Sequence, residues 1–170
     1  KVATGGLVWT NQGTFTVTNV SVSDTPHYAW YQQNQAVTTF ESVIFGGNYA
    51  GIRSDYGSTP STMSLTDSDY TNRVYINNSQ FLNNTYGIAA ERFVKVENSV
   101  FSGNTQVAAQ LQGLNRIQVI GSTFINNFTG VRFYSWIPAS WTPGTDNQVV
   151  EGSTFANNTL AIQFDNRING

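Results

Sequence analysis

Apolar and polar side chains alternate along this chain in short runs, as at Val74/Ile76, Val94/Val96 and Ile117/Val119, which is the period of a strand with one buried face. Helical spacing of apolar residues is absent and β-branched residues are abundant, so the pattern predicts strands throughout. The runs share one punctuation. Phe-x-x-Asn recurs at Phe45/Asn48, Phe81/Asn84, Phe101/Asn104, Phe124/Asn127 and Phe155/Asn158, and an apolar-rich segment opens about three residues after each Asn. Upstream, Ser79, Ser99, Ser122 and Ser153 each stand two residues before the Phe. Successive Phe residues lie 36, 20, 23 and 31 positions apart. A unit of about 20 residues with optional insertions is the mark of a solenoid.

So short a unit holds two or three brief strands and closes one turn of a parallel coil. Turns then stack at about 4.8 Å, and equivalent side chains fall in line along the axis. The five Phe are expected to form an internal aromatic stack, and the five Asn an amide ladder at a turn. The predicted fold is all-β, a single-domain solenoid of about six turns spanning about 29 Å. A degenerate first turn is expected over residues 15–25. Both ends of such a stack are open sheet edges. No amphipathic cap helix is evident, which points to a fragment of a longer protein or to a subunit that stacks on a neighbour; the alternative is a cap built from residues 1–14 and the loops.

With its S-x-F-x-x-N-x-x-G-I frame, the chain resembles the right-handed parallel β-helix proteins of the pectin-lyase-like superfamily, especially their NosD or CASH type of repeat. The resemblance covers roughly residues 38 to 170 and implies a right-handed coil. It implies little about activity, because that superfamily spans lyases, hydrolases, epimerases, tailspikes and adhesins.

Counting from each Asn sorts inward from outward positions on the strand that follows. Ile52, Ile88, Ala108, Val131 and Ile162 are expected to point inward, then Ser54, Ala90, Gln110, Phe133 and Phe164. Arg53, Ala89, Ala109, Arg132 and Gln163 are expected to point outward, with Asp55, Glu91, Leu111, Tyr134 and Asp165 beside them. Two insertions, 55–72 and 134–147, leave from the end of this strand, at the same corner of the coil. They predict a saddle walled by the insertions and floored by Ala89, Glu91, Ala109 and Leu111. Tyr56, Tyr134, Trp136 and Trp141 offer flat apolar faces to sugar rings, or else pin the loops to the barrel.

Asp55 and Glu91 fall on adjacent turns, so their carboxylates are expected about 5 Å apart, the separation that retaining glycosidases use. The competing reading is ordinary surface charge with Arg53 and Arg92 as partners. Arg53 and Arg132 are candidates for a lyase base or a uronate clamp, although three turns, about 14 Å, separate them. Asp67 and Asp69 with Asp55 offer oxygen ligands, yet no calcium-binding loop motif accompanies them, so no metal or other cofactor is assigned. A single histidine, His27, excludes a multi-His centre within this chain; with Tyr28, Trp30 and Tyr31 it marks an edge contact or packing around the first turn.

Charged residues make up only 11%, the net charge is -2 and there is no cysteine. Nucleic acid and anionic membranes are therefore not expected partners, and no apolar run reaches membrane-spanning length. Asn-x-Ser/Thr sequons stand at Asn19, Asn77, Asn83, Asn127 and Asn157; Asn77, Asn83 and Asn157 are the candidate glycosylation sites, since Asn127 belongs to the expected ladder. These features suit an extracellular, cell-surface or virion module of adhesin, spike or filament type with a glycan-binding saddle. A polysaccharide lyase or glycoside hydrolase is the alternative, and a purely structural spacer the third reading.

Overall fold

The computed structural model describes residues 8–55, 73–91, 93–112, 117–137 and 148–168, without the side chains of residues 34, 35, 112, 134–137 and 166–168. Every described element is a strand and every pairing is parallel. The first coil consists of β1 (Val8–Thr18) and β2 (Ser21–Ser23), and the second of β3 (Tyr28–Glu41) and β4 (Ile44–Gly46). The next two comprise β5 (Ala50–Asp55), β6 (Arg73–Asn77) and β7 (Gln80–Leu82), then β8 (Tyr86–Glu91), β9 (Phe93–Glu97) and β10 (Val100–Ser102). Then come β11 (Val107–Gln112), β12 (Ile117–Ile120) and β13 (Thr123–Ile125), followed by β14 (Thr129–Ile137), β15 (Val149–Glu151) and β16 (Thr154–Ala156). Strand β17 (Leu160–Ile168) opens a seventh coil.

Stacking generates three faces. The first carries β5, β8, β11, β14 and β17, the second β6, β9, β12 and β15, and β3 runs through the corner to pair with both β5 and β6. The third face is the separate sheet β16-β13-β10-β7-β4-β2. Two of the three corners are fixed by left-handed backbone. Between the second and third faces the residues with positive φ are Asn19, Ser42, Asn78, Asn98, Gly121 and Gly152; between the third and first they are Asp24, Gly47, Asn83, Gly103, Asn126 and Asn157. Asn, Asp and Gly tolerate this region better than other residues, which explains why the chain is rich in them. The remaining corner, between first and second faces, carries no such run of positive φ among the described residues. Residues 56–72 and 138–147, outside the described residues, separate first-face from second-face strands at this corner; Asp55 and residues 134–137, expected in the insertions, instead belong to β5 and β14.

Inside, the aromatic column forms as expected. Phe81, Phe101, Phe124 and Phe155 stack at 4.7 to 4.9 Å with interplanar angles of 4 to 7°, while Phe45 meets Phe81 at 5.5 Å with a tilt. The amide ladder also forms. The Oδ1 of Asn84 accepts from the backbone N–H and Nδ2 of Asn48 at 2.9 and 3.1 Å, and the same pair of bonds links Asn84 to Asn104, Asn104 to Asn127 and Asn127 to Asn158. Thr25 takes the ladder position in the first coil, donating from its N–H and Oγ1 to Asn48 Oδ1. The repeated serines make a second ladder: each Oγ accepts from the backbone N–H one coil earlier and donates to the carbonyl two residues before it. The buried Asn and Ser side chains are thus paired rung by rung, which is what makes their burial tolerable.

One expectation and one alternative need correction, and a third point holds in register but not in burial. In β11 the strand register is one residue later than the count from Asn104 predicts: Val107, not Gln106, aligns with Tyr86, and Ala109 aligns with Ile88 and Val131. The extra residue sits at the corner, where the N–H groups of Gln106 and Val107 both donate to Thr85 O. Ala109 and Leu111 are therefore core residues with no exposure, and the outward positions belong to Gln110 and Gln112. Residues 8–14, which the alternative reading places in a cap, are part of β1, which pairs with β3; residues 1–7 lie outside the described residues. Ile162 and Phe164 do occupy inward columns, opposite Val131 and Phe133, but remain 38% and 68% exposed because no described coil lies over β17.

Candidate functional site

Parallel, in-register stacking aligns one outward column on the first face as Trp9, Tyr31, Arg53, Ala89, Gln110, Arg132 and Gln163. The neighbouring column begins Gln33, Asp55, and the pairing of Ser54 with Ala90 sets Asp55 beside Glu91; beyond them come Gln112, Tyr134 and Asp165. The predicted neighbours on adjacent coils are thus brought together, but not as a bare pair of carboxylates. Arg53 Nη2 lies 2.5 Å from Asp55 Oδ1 and 4.0 Å from Glu91 Oε1, with all three side chains about a quarter to a third exposed. Partial burial pulls the Arg53 guanidinium down, but the hydrogen bond and charge of Asp55, then the charge of Glu91, outweigh it and hold Arg53 above its ordinary range.

Tyr31 belongs to the same cluster. Its hydroxyl accepts from Gln33 Nε2 at 2.5 Å. Burial, then the charge of Asp55 and a hydrogen bond to it, push the Tyr31 phenol up to about 12. Around Tyr31 the strands place a group of rings: Trp9 stacks on it at 6.5 Å, Tyr28 at 5.4 Å, and the contacts continue from Tyr28 to Tyr49 at 6.0 Å and from Tyr49 to Tyr86 at 5.7 Å. Trp9 is 70% exposed, and Tyr49 is exposed as well. Strand alternation explains why neighbours in sequence part company here: Trp30 turns inward and packs edge-on against Phe40, while Tyr31 faces out. Trp9 went unnoticed in the sequence because residues 1–14 carry no Phe-x-x-Asn frame. The alternation of Val8 and Thr10 around it was the available signal.

Arg132 pairs with Asp165 one coil later, three coils from Arg53, so the two arginines form separate ion pairs and not a joint clamp. Tyr56 and Trp141 lie outside the described residues, as do Asp67 and Asp69. Tyr134 and Trp136 lie on β14, opposite Asp165 and Arg167, but their side chains are outside the described set. Among the described residues, no group of three His, Cys, Asp or Glu could hold a metal ion.

The sequons separate by environment. The Asn77 amide donates to Glu41 Oε2 at 2.8 Å and accepts from Asn98 Nδ2 at 3.0 Å. Asn127 is 3% exposed within the ladder. Asn83 and Asn157 stand exposed at left-handed corners. On the second face, away from the arginine cluster, lies a shallow depression of about 510 Å³ lined by Thr39, Tyr75, Asn77, Glu97 and Asn98 among others.

Residues 5–138 match the family model described as a right handed beta helix region. No curated protein and no solved structure matches the chain. With the stacked parallel coils, the Phe column and the Asn ladder, that match shows that the chain belongs to the right-handed β-helix family.

Proposed function

We propose that this β-helix is a non-catalytic, surface-exposed module of adhesin, spike or filament type that holds a glycan on its first face. The observation that carries the reading is the exposed Trp9 ring stacked on Tyr31, which is itself tied to the Arg53–Asp55–Glu91 cluster. An apolar ring beside fixed polar groups is the pairing that sugars use, one for the pyranose face and the other for its hydroxyls. The catalytic reading of Asp55 and Glu91 is weakened by Arg53, because a retaining pair requires one carboxylic acid and one free nucleophile, whereas here one guanidinium approaches both. The partner expected from the sequence, a neighbouring coil, suits the edge of β17, over which no described coil lies and where Phe164 is exposed.

The test is a panel of neutral and acidic polysaccharides presented to the parent chain and to Trp9→Ala, with binding and release of reducing ends followed together. Binding that Trp9→Ala removes, without turnover, is the expected outcome. Turnover lost in Asp55→Asn and Glu91→Gln would replace the proposal by the polysaccharide-degrading enzyme, and no binding at all would leave a structural spacer.

A further inference from the structure

We infer that the first-face cluster sorts glycans by charge, accepting neutral or amino-bearing pyranoses and rejecting uronates. The inference rests on the glycan reading above and goes beyond it in naming the ligand class. The sequence offers Arg53 and Arg132 for a uronate clamp, but the geometry points the other way. Arg53 is the one described cation near Trp9 and Tyr31, and it is already engaged by Asp55 at 2.5 Å and approached by Glu91 at 4.0 Å. Those three residues together carry a formal charge of one negative. Arg132 sits about 14 Å along the axis at the coil spacing and is paired with Asp165.

A glycan that starts on Trp9 and runs along the axis over Tyr31 meets Asp55 one coil beyond Tyr31, Glu91 one coil further, and no uncommitted cation among the described residues. To gain Arg53 a uronate would have to displace Asp55 from a close, partly buried pair, and the displaced carboxylate would then face the newcomer. A neutral sugar meets no such conflict. Carboxylates are acceptor-only groups with lone pairs on both oxygens, so they receive hydrogen bonds from sugar hydroxyls. An ammonium on the sugar adds charge complementarity, and its bonds to a carboxylate are the stronger, charge-assisted kind. Tyr31, with its phenol pushed up to about 12, keeps its proton at neutral pH and adds no further negative charge.

Calorimetric titration of the chain with three hexasaccharides of matched length tests this: a neutral glucan, a glucosamine oligomer and an oligogalacturonate. One net like charge at roughly 6 Å in water amounts to about a threefold penalty in affinity. The uronate is accordingly expected to bind about threefold more weakly than the neutral chain, and the glucosamine oligomer as tightly or more tightly. In the double variant Asp55→Asn, Glu91→Gln the uronate is expected to gain about tenfold and the glucosamine oligomer to lose. Trp9→Ala, at an exposed position where folding is not at stake, is expected to weaken binding of the neutral and amino chains. Uronate binding equal to or tighter than neutral binding in the parent overturns the charge inference alone. Absence of binding by all three overturns the glycan reading and the inference with it.

Discussion

Replacing Asn104 by Ala probes the amide ladder at its centre. The Asn104 side chain takes part in four hydrogen bonds: Oδ1 accepts from Asn84 N–H and Nδ2 at 3.1 and 3.2 Å, and Nδ2 donates to Phe81 O at 3.0 Å and Asn127 Oδ1 at 2.8 Å. Asn104 has no solvent exposure, so water cannot replace these partners. At about 1 kcal/mol net per bond, with a further penalty for the Asn84 donors left buried and unmet, the expected loss is about 4 kcal/mol. Asn158 at the last described rung makes three such bonds but is partly exposed, so Asn158→Ala is expected to cost about 1–2 kcal/mol. Urea unfolding monitored by circular dichroism gives both values, provided the slope is unchanged between variants. A loss below about 1 kcal/mol for Asn104→Ala would refute the reasoning. So would an Asn158→Ala variant as damaged as Asn104→Ala, because burial is what separates the two.

Three further outcomes are expected. Gly87→Ala should destabilise the fold by about 2 kcal/mol, read as a lowered thermal midpoint, because the added methyl would press on the Ala108 carbonyl and approach the Phe101 ring at 3.1 Å. Tyr31, held at about 12 against an ordinary value of 10.0, favours its neutral form in the folded state. That contribution is complete below pH 10 and is lost as pH rises through about 12, so ultraviolet titration should show Tyr31 ionising late, and Asp55→Asn should bring that step to lower pH. Expression in a glycosylating host followed by peptide mass spectrometry should find glycans at Asn83 and Asn157 and none at Asn127. Asn77, whose amide is bonded on both sides, should be modified poorly if at all.

Much of the architecture was legible because it repeats. Each Phe-x-x-Asn joins a buried ring to a buried amide three residues on, and only a coil that returns at strand spacing brings successive copies together as a stack and a ladder. Alternation then placed Arg53, Asp55 and Glu91 outward correctly. The same count failed at β11, where the corner after Asn104 takes one more residue than its neighbours and inverts Ala109 and Leu111 from surface to core. A different ruler would have caught it. Gly51, Gly87, Gly130 and Ala161 share one column, where little room remains beside the Phe rings and the next backbone, and Ala108 is the small residue that fits it in β11.

By itself the sequence determined the parallel coil, its aromatic and amide columns, and the corner that accepts insertions, because these depend on spacing within one repeat and on residues that tolerate left-handed corners. The tertiary structure alone decided what the outward residues do. Whether Asp55 and Glu91 face each other or share Arg53 depends on side-chain reach between coils, and that Trp9 joins Tyr31 depends on β1 pairing in register with β3. Such contacts lie between repeats, where the phase of each coil is set by how many residues its corners consume.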